Sequence, residues 1–125
     1  MKKYLITVMI FSLALLILSA CSTSASDDNI SPQVEAGMKI FQANCSSCHL
    51  TEGRQVLVGP SLEGLASRAG STISGMNAED YIRQSILDPS AHVGEGFTNL
   101  MPNIYSTVLS EEKLDAVVAY LLTLK

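Results

Sequence analysis

Two cysteines three positions apart with a histidine directly after them, Cys45-Ser46-Ser47-Cys48-His49, have a spacing that points to a defined chemistry. C-x-x-C-H is the signature of c-type haem attachment. Two thiols at this spacing near a helix end reach the two vinyl groups of one porphyrin and form two thioethers, and the next residue then lies where its imidazole reaches the iron. On this reading Cys45 and Cys48 hold one covalent haem c and His49 is the proximal iron ligand. Two plainer uses compete. A redox-active dithiol wants a βαβ setting, and no strand alternation of useful length is present. A zinc site joining the motif to His92 lacks the usual second pair of ligands.

A ligand opposite His49 must come from His92 or a methionine, and beyond the first 20 residues the methionines are Met38, Met76 and Met101. Met38 stands seven positions before Cys45 on a predicted helix and reads as core packing. Met76 follows a Gly/Ser-rich stretch and precedes a helix cap. Met101, followed by Pro102, lies in a loop ahead of the last helix. His92 sits in Ser90-Ala91-His92-Val93-Gly94-Glu95-Gly96, which reads as an exposed loop, so a solvated side chain is its plainer role. Position favours Met101; a gap-filling core methionine and bis-histidine coordination through His92 remain the alternatives.

The elements that must position these residues are helical. Ser31-Pro32 supplies a side-chain acceptor and a first-turn proline, and Val34, Met38 and Phe41 recur at helical spacing, predicting a helix from Pro32 to Asn44. Residues 50–75 are loop-rich, with one helical turn expected between Leu62 and Arg68. Asn77 with Asp80 resembles a capping box, and Tyr81, Ile82, Ser85 and Ile86 share a face before Asp88-Pro89 stops the helix. Ser110 caps a last helix with Glu111 and Glu112 at the positive end of its dipole, and Leu114, Val117, Val118, Leu121 and Leu122 form its apolar stripe. The expected fold class is all-α, three to four short helices and long loops. So little secondary structure supplies a small core, and domains of this size usually need a staple. With the cysteines engaged elsewhere, the shortage points to a large apolar cofactor.

The chain has 125 residues, enough for one small domain. Met1-Lys2-Lys3 and the apolar run Tyr4 to Leu18 have the layout of a secretory signal peptide, too short to span a bilayer. Leu18-Ser19-Ala20-Cys21 resembles the bacterial lipoprotein box, in which the cysteine is lipidated and becomes the first residue. Residues 1–20 are thus read as leader, 21–31 as a lipidated cysteine with a flexible polar tether spanning about 15–20 Å, and 32–125 as the folded domain. Loss of Lys2 and Lys3 takes the formal charge from −4 to −6, which excludes phosphate-backbone binding as a main activity. The expected place is the extracytoplasmic face of a bacterial membrane, periplasmic or outer, held by lipid.

With these residues in view, the chain from Val34 to Lys125 resembles the class I monohaem cytochromes c. Gly37 and Phe41 with Val117 and Tyr120 match that family's crossing of terminal helices. Gly59-Pro60-Ser61-Leu62 resembles its loop in which the proline carbonyl accepts a hydrogen bond from the proximal histidine, implying that role for Pro60. Met101-Pro102 resembles its distal Met-Pro, and Arg68 falls where its arginines often face a haem propionate. The second half is also similar to cytochrome c domains associated with terminal oxidases, which suggests a partner class.

A haem with both axial positions filled by protein suits one-electron transfer and needs no small-molecule substrate. The expected function is a membrane-anchored electron carrier, not an enzyme, working between redox proteins such as a quinol-oxidising complex and a terminal oxidase or reductase. The alternative is a haem peroxidase or a gas-binding sensor with a displaceable distal methionine; the single C-x-x-C-H speaks against the dihaem peroxidases. A structural lipoprotein with incidental cysteines is a third reading.

Overall fold

Ser31 opens the first helix by accepting the Val34 N–H at 3.3 Å, with Pro32 in the first turn, and α1 runs Pro32–Asn44 as the sequence predicts. The computed structural model describes residues 30–125; the leader over 1–20, Cys21 and the tether up to residue 29 lie outside the described residues. Helix α2, Leu65–Thr72, begins after Gly64 at φ +70, a left-handed turn suited to glycine. It is longer and lies further along than the single turn expected at 62–68. Its Ser, Thr and Gly residues hide it in sequence, while buried Leu65 and Ala69 hold it in place by packing. Asn77 caps α3, Ala78–Leu87, by accepting the Asp80 N–H at 2.8 Å. Ser110 caps α5, Glu111–Leu121, which ends one residue short of the predicted stripe. Between them a four-residue turn of helix, α4 at Tyr105–Val108, has no counterpart in the sequence pattern. The described residues therefore form five helices, one more than the upper expectation, and contain no strand.

Helices α1 and α5 make the most extensive contact between elements. At their crossing a methyl group on Gly37 would fall 1.9 Å from the Ala116 carbonyl oxygen, so only glycine lets the backbones meet. One turn on, the Phe41 and Tyr120 rings pack tilted at 5.5 Å between centroids. Leu114, Val117, Val118 and Leu121 from α5 join Phe41, Ile82 of α3, and Leu65 and Ala69 of α2 in one core. Arg83 of α3 clamps Asp115 of α5, with Glu79 at 3.3 Å and Glu111 at 3.8 Å. Met38, expected in this core, is half-buried and does not belong to it. No helix of the described residues is long and apolar enough to cross a membrane.

The helix crossing generates a prediction. Gly37→Ala should lower stability by about 3 kcal/mol because backbone cannot swing aside, whereas Gly70→Ala, whose added methyl meets nothing nearer than 3.4 Å, should stay within about 1 kcal/mol. Denaturant midpoints of the two variants measure the difference.

Candidate functional site

The end of α1 delivers the motif. The backbone turns tightly there: the Cys45 N–H donates to the Phe41 carbonyl at 2.8 Å, and the Cys48 and His49 N–H groups both donate to the Cys45 carbonyl at 3.0 Å. This turn sets both cysteines and His49 on the wall of a cavity of about 280 Å³. Phe41, Leu65 and Leu121 form its floor, and Tyr81, Ile82, Ser85 and Ile86, the face predicted for α3, form a second wall. Residues of the 88–104 loop, among them Pro89, His92, Phe97, Met101 and Pro102, close the far side. Of the three candidate methionines Met101 lines the cavity; Met38 and Met76 do not.

His49 Nδ1 lies 2.9 Å from the Pro60 carbonyl oxygen. A carbonyl only accepts, so Nδ1 carries the proton and Nε2 keeps its lone pair, the state of a metal-ligating imidazole held from behind. The loop that brings Pro60 into place is tied twice to the motif by backbone, Gly59 N–H to the Cys48 carbonyl at 3.0 Å and Leu62 N–H to the Leu50 carbonyl at 2.7 Å. Gly59 has a second duty: a methyl there would fall 2.4 Å from His49 Cε1. Tyr105, from the unexpected α4, donates its hydroxyl to the Asn44 carbonyl at 3.0 Å and so holds the last turn of α1 from across the cavity.

Burial pushes the Cys45 thiol up to about 11, with the neighbouring Cys48 adding to the shift. Such a site disfavours the thiolate that zinc needs. A thioether carries no charge, so the same burial costs it nothing. Among the described residues no group of three or more His, Cys, Asp or Glu side chains is arranged to hold a metal ion. The zinc alternative therefore lacks its ligands, and with no strand among the described residues to form a βαβ unit the dithiol lacks its scaffold. A mostly apolar cavity carrying two thiols at one end and an oriented imidazole beside them fits a covalent haem.

Comparison with known proteins agrees. The family model for cytochrome c matches residues 34–125. The chain belongs to the cytochrome c family. It is 28% identical over 120 residues to a cytochrome c6 of Synechococcus sp., covering 96% of this chain and 91% of that protein. A cytochrome c6 of Thermosynechococcus vestitus is 29% identical over 122 residues, 98% of this chain and 92% of that protein. Cytochrome c 2.1 of Caenorhabditis elegans matches 43 residues at 33% identity, 34% of this chain and 39% of that protein. This cytochrome c is thus an electron-transfer protein and not an enzyme, and its cofactor is covalent haem c.

Arg68, which the resemblance sets near a haem propionate, does not line the cavity. Its guanidinium donates to the Ser61 carbonyl at 2.7 Å and to the Glu63 carbonyl, and it lines a separate surface hollow with Arg54 and Lys125. The left-handed turn at Gly64 brings both carbonyls within its reach, so Arg68 clamps the loop that carries Pro60. His92 also differs from expectation: it is half-buried and lines the cavity. Sequence reasoning passed over Tyr105 because its helix is too short to show a period. For Gly59, the Gly-Pro pair gave only the signal of a turn.

Removing the Tyr105→Phe hydroxyl should cost about 1 kcal/mol, and Gly59→Ala about 1–3 kcal/mol through its clash with the His49 ring. Denaturation followed at the haem absorption band reads both, and only Gly59→Ala should also perturb that band in the folded protein.

Proposed function

We propose that this cytochrome c is a lipid-anchored monohaem carrier that passes single electrons between redox proteins at the extracytoplasmic face of a bacterial membrane. Cys45 and Cys48 would hold the haem through thioethers, and His49 and Met101 would supply the nitrogen and the sulfur that bind its iron. The observation that carries this reading is that all four side chains converge on one cavity while Pro60 holds His49 with its free nitrogen available. Bound haem supplies a one-electron ferric/ferrous couple; the protein supplies the two ligands and a dry, apolar surround. The Met101 thioether favours the ferrous state and raises the potential. Filling both axial positions leaves no place for a substrate, which is what separates a carrier from a peroxidase or gas sensor.

Docking belongs to the cavity mouth. Val58, Val93 and Leu100 line the cavity and are yet 50%, 40% and 65% exposed. A small apolar rim of this kind suits brief association, with an interface below about 1,200 Å². The charge of −6 from Cys21 onward favours partners with basic docking surfaces. The resemblance of the second half to domains associated with terminal oxidases supports an oxidase or other reductase as the acceptor, and a quinol-oxidising complex is the donor in this reading. Cys21 carries the lipid, and residues 22–31 form the tether on which the domain turns.

Two measurements test the reading. A pyridine haemochrome should show covalent haem c, the oxidised protein should show the far-red band of a thioether on ferric iron, and Met101→Ala should abolish that band and lower the potential by about 100 mV or more. An unchanged potential would remove Met101 from the iron. Separately, Cys21→Ser should move the protein from the membrane fraction to the soluble one with its haem spectrum intact; retention in the membrane would remove Cys21 as the anchor.

A further inference from the structure

We infer that His92 is a stand-by iron ligand, which takes the distal position whenever the Met101 thioether is off the iron and so keeps that position closed to external ligands such as carbon monoxide. The inference rests on the reading of Met101 as the resident distal ligand. Apart from the motif itself, His92 and Met101 are the cavity-lining side chains that carry an imidazole or a thioether. Both stand on the same irregular segment, residues 88–104.

The setting of His92 is that of a ligand in waiting. A resident metal-binding histidine donates its far N–H to a carbonyl or carboxylate, as His49 does to Pro60. His92 instead rests with its ring edge against Tyr81, 5.7 Å between centroids, and no hydrogen bond to another described residue fixes either nitrogen. Its ring is half-buried at the cavity wall, with no hydrogen bond among the described residues to break on turning. The loop is pinned by short local bonds, Ala91 N–H to the Asp88 carbonyl and Phe97 N–H to the Gly94 carbonyl, and Gly96 sits at φ +82. Moving His92 inward breaks no helix. What keeps it off the iron at rest is the contact with Tyr81 and the entropy of ordering the loop. Loss of Met101 leaves those costs opposed by an imidazole–iron bond with no competitor.

The test compares haem-loaded variants of the full chain by visible and electron paramagnetic resonance spectra and by carbon monoxide binding to the reduced protein. Met101→Ala is expected to lose the far-red band yet stay low-spin, and Met101→Ala with His92→Ala to become high-spin. An internal ligand that holds the position nine-tenths of the time lowers apparent affinity for an external one about tenfold, so the double variant should bind carbon monoxide at least about tenfold more tightly. Equal spin state and equal affinity in the two variants would overturn the inference. So would a His92→Ala single variant that loses the low-spin state, because His92 would then be the resident ligand. If Met101→Ala keeps both the far-red band and the wild-type potential, the assignment of Met101 itself fails, a result distinct from either. Should Met101→Ala not mature, Met101→Leu preserves the side-chain volume without a donor atom and permits the same comparison.

Discussion

At Gly37 the backbone of α1 lies so close to α5 that an added methyl would meet the Ala116 carbonyl oxygen at 1.9 Å. This contact sets where α1 ends, and the end of α1 is where the motif begins. Phe41, one turn beyond Gly37, reaches Tyr120 on one side and the cavity floor on the other. Four residues later its carbonyl receives the Cys45 N–H. A shift of the crossing by a fraction of a turn would rotate both cysteines and His49 out of the cavity together. The Tyr105 bond to Asn44 guards the same point from the other wall. The chemistry of the site is thus coupled to a helix pair whose contact contains no functional group.

The core that holds this arrangement is thin. Four of its members, Phe41, Leu65, Ile82 and Leu121, also line the cavity. Without a cofactor these side chains would pack on one face and meet water on the other. A porphyrin completes the second face, so cofactor burial and protein folding draw on the same apolar surface. This explains how five short helices suffice for the domain. It also explains the absence of any buried polar side chain among the described residues: the interior is built for an apolar plate.

Much of this was legible in the residues because the signals were local. Ser31-Pro32, Asn77 and Ser110 marked helix starts that the structure keeps, and the Tyr81/Ile82/Ser85/Ile86 face became a cavity wall. Helix α2 was harder to read because Ser-Arg-Ala-Gly-Ser-Thr has weak propensity and gains its helix from tertiary burial of Leu65 and Ala69. The destination of Arg68 depends on the left-handed turn at Gly64, which brings two carbonyls into range and has no signature beyond one glycine. His92 misled for a related reason. Its glycine-flanked surroundings read as solvent, whereas Tyr81, eleven positions earlier on another element, draws the ring onto the cavity wall.

The two walls that face the haem plane are built to different stiffness. On the His49 side, the Pro60 carbonyl, the Gly59–Cys48 and Leu62–Leu50 backbone bonds and the Arg68 clamp all join residues five or more positions apart. On the Met101 side, the backbone bonds within 88–104 join residues two or three positions apart. Bonds that span a loop resist its displacement, while bonds within a turn move with it. On the proposed ligation the imidazole would sit on the wall held by loop-spanning bonds and the thioether on the wall held by local ones, so His49 would fix the place of the iron and the 88–104 segment would adjust Met101 to it. Opening of the site is then expected on the Met101 side, where His92 also lines the cavity.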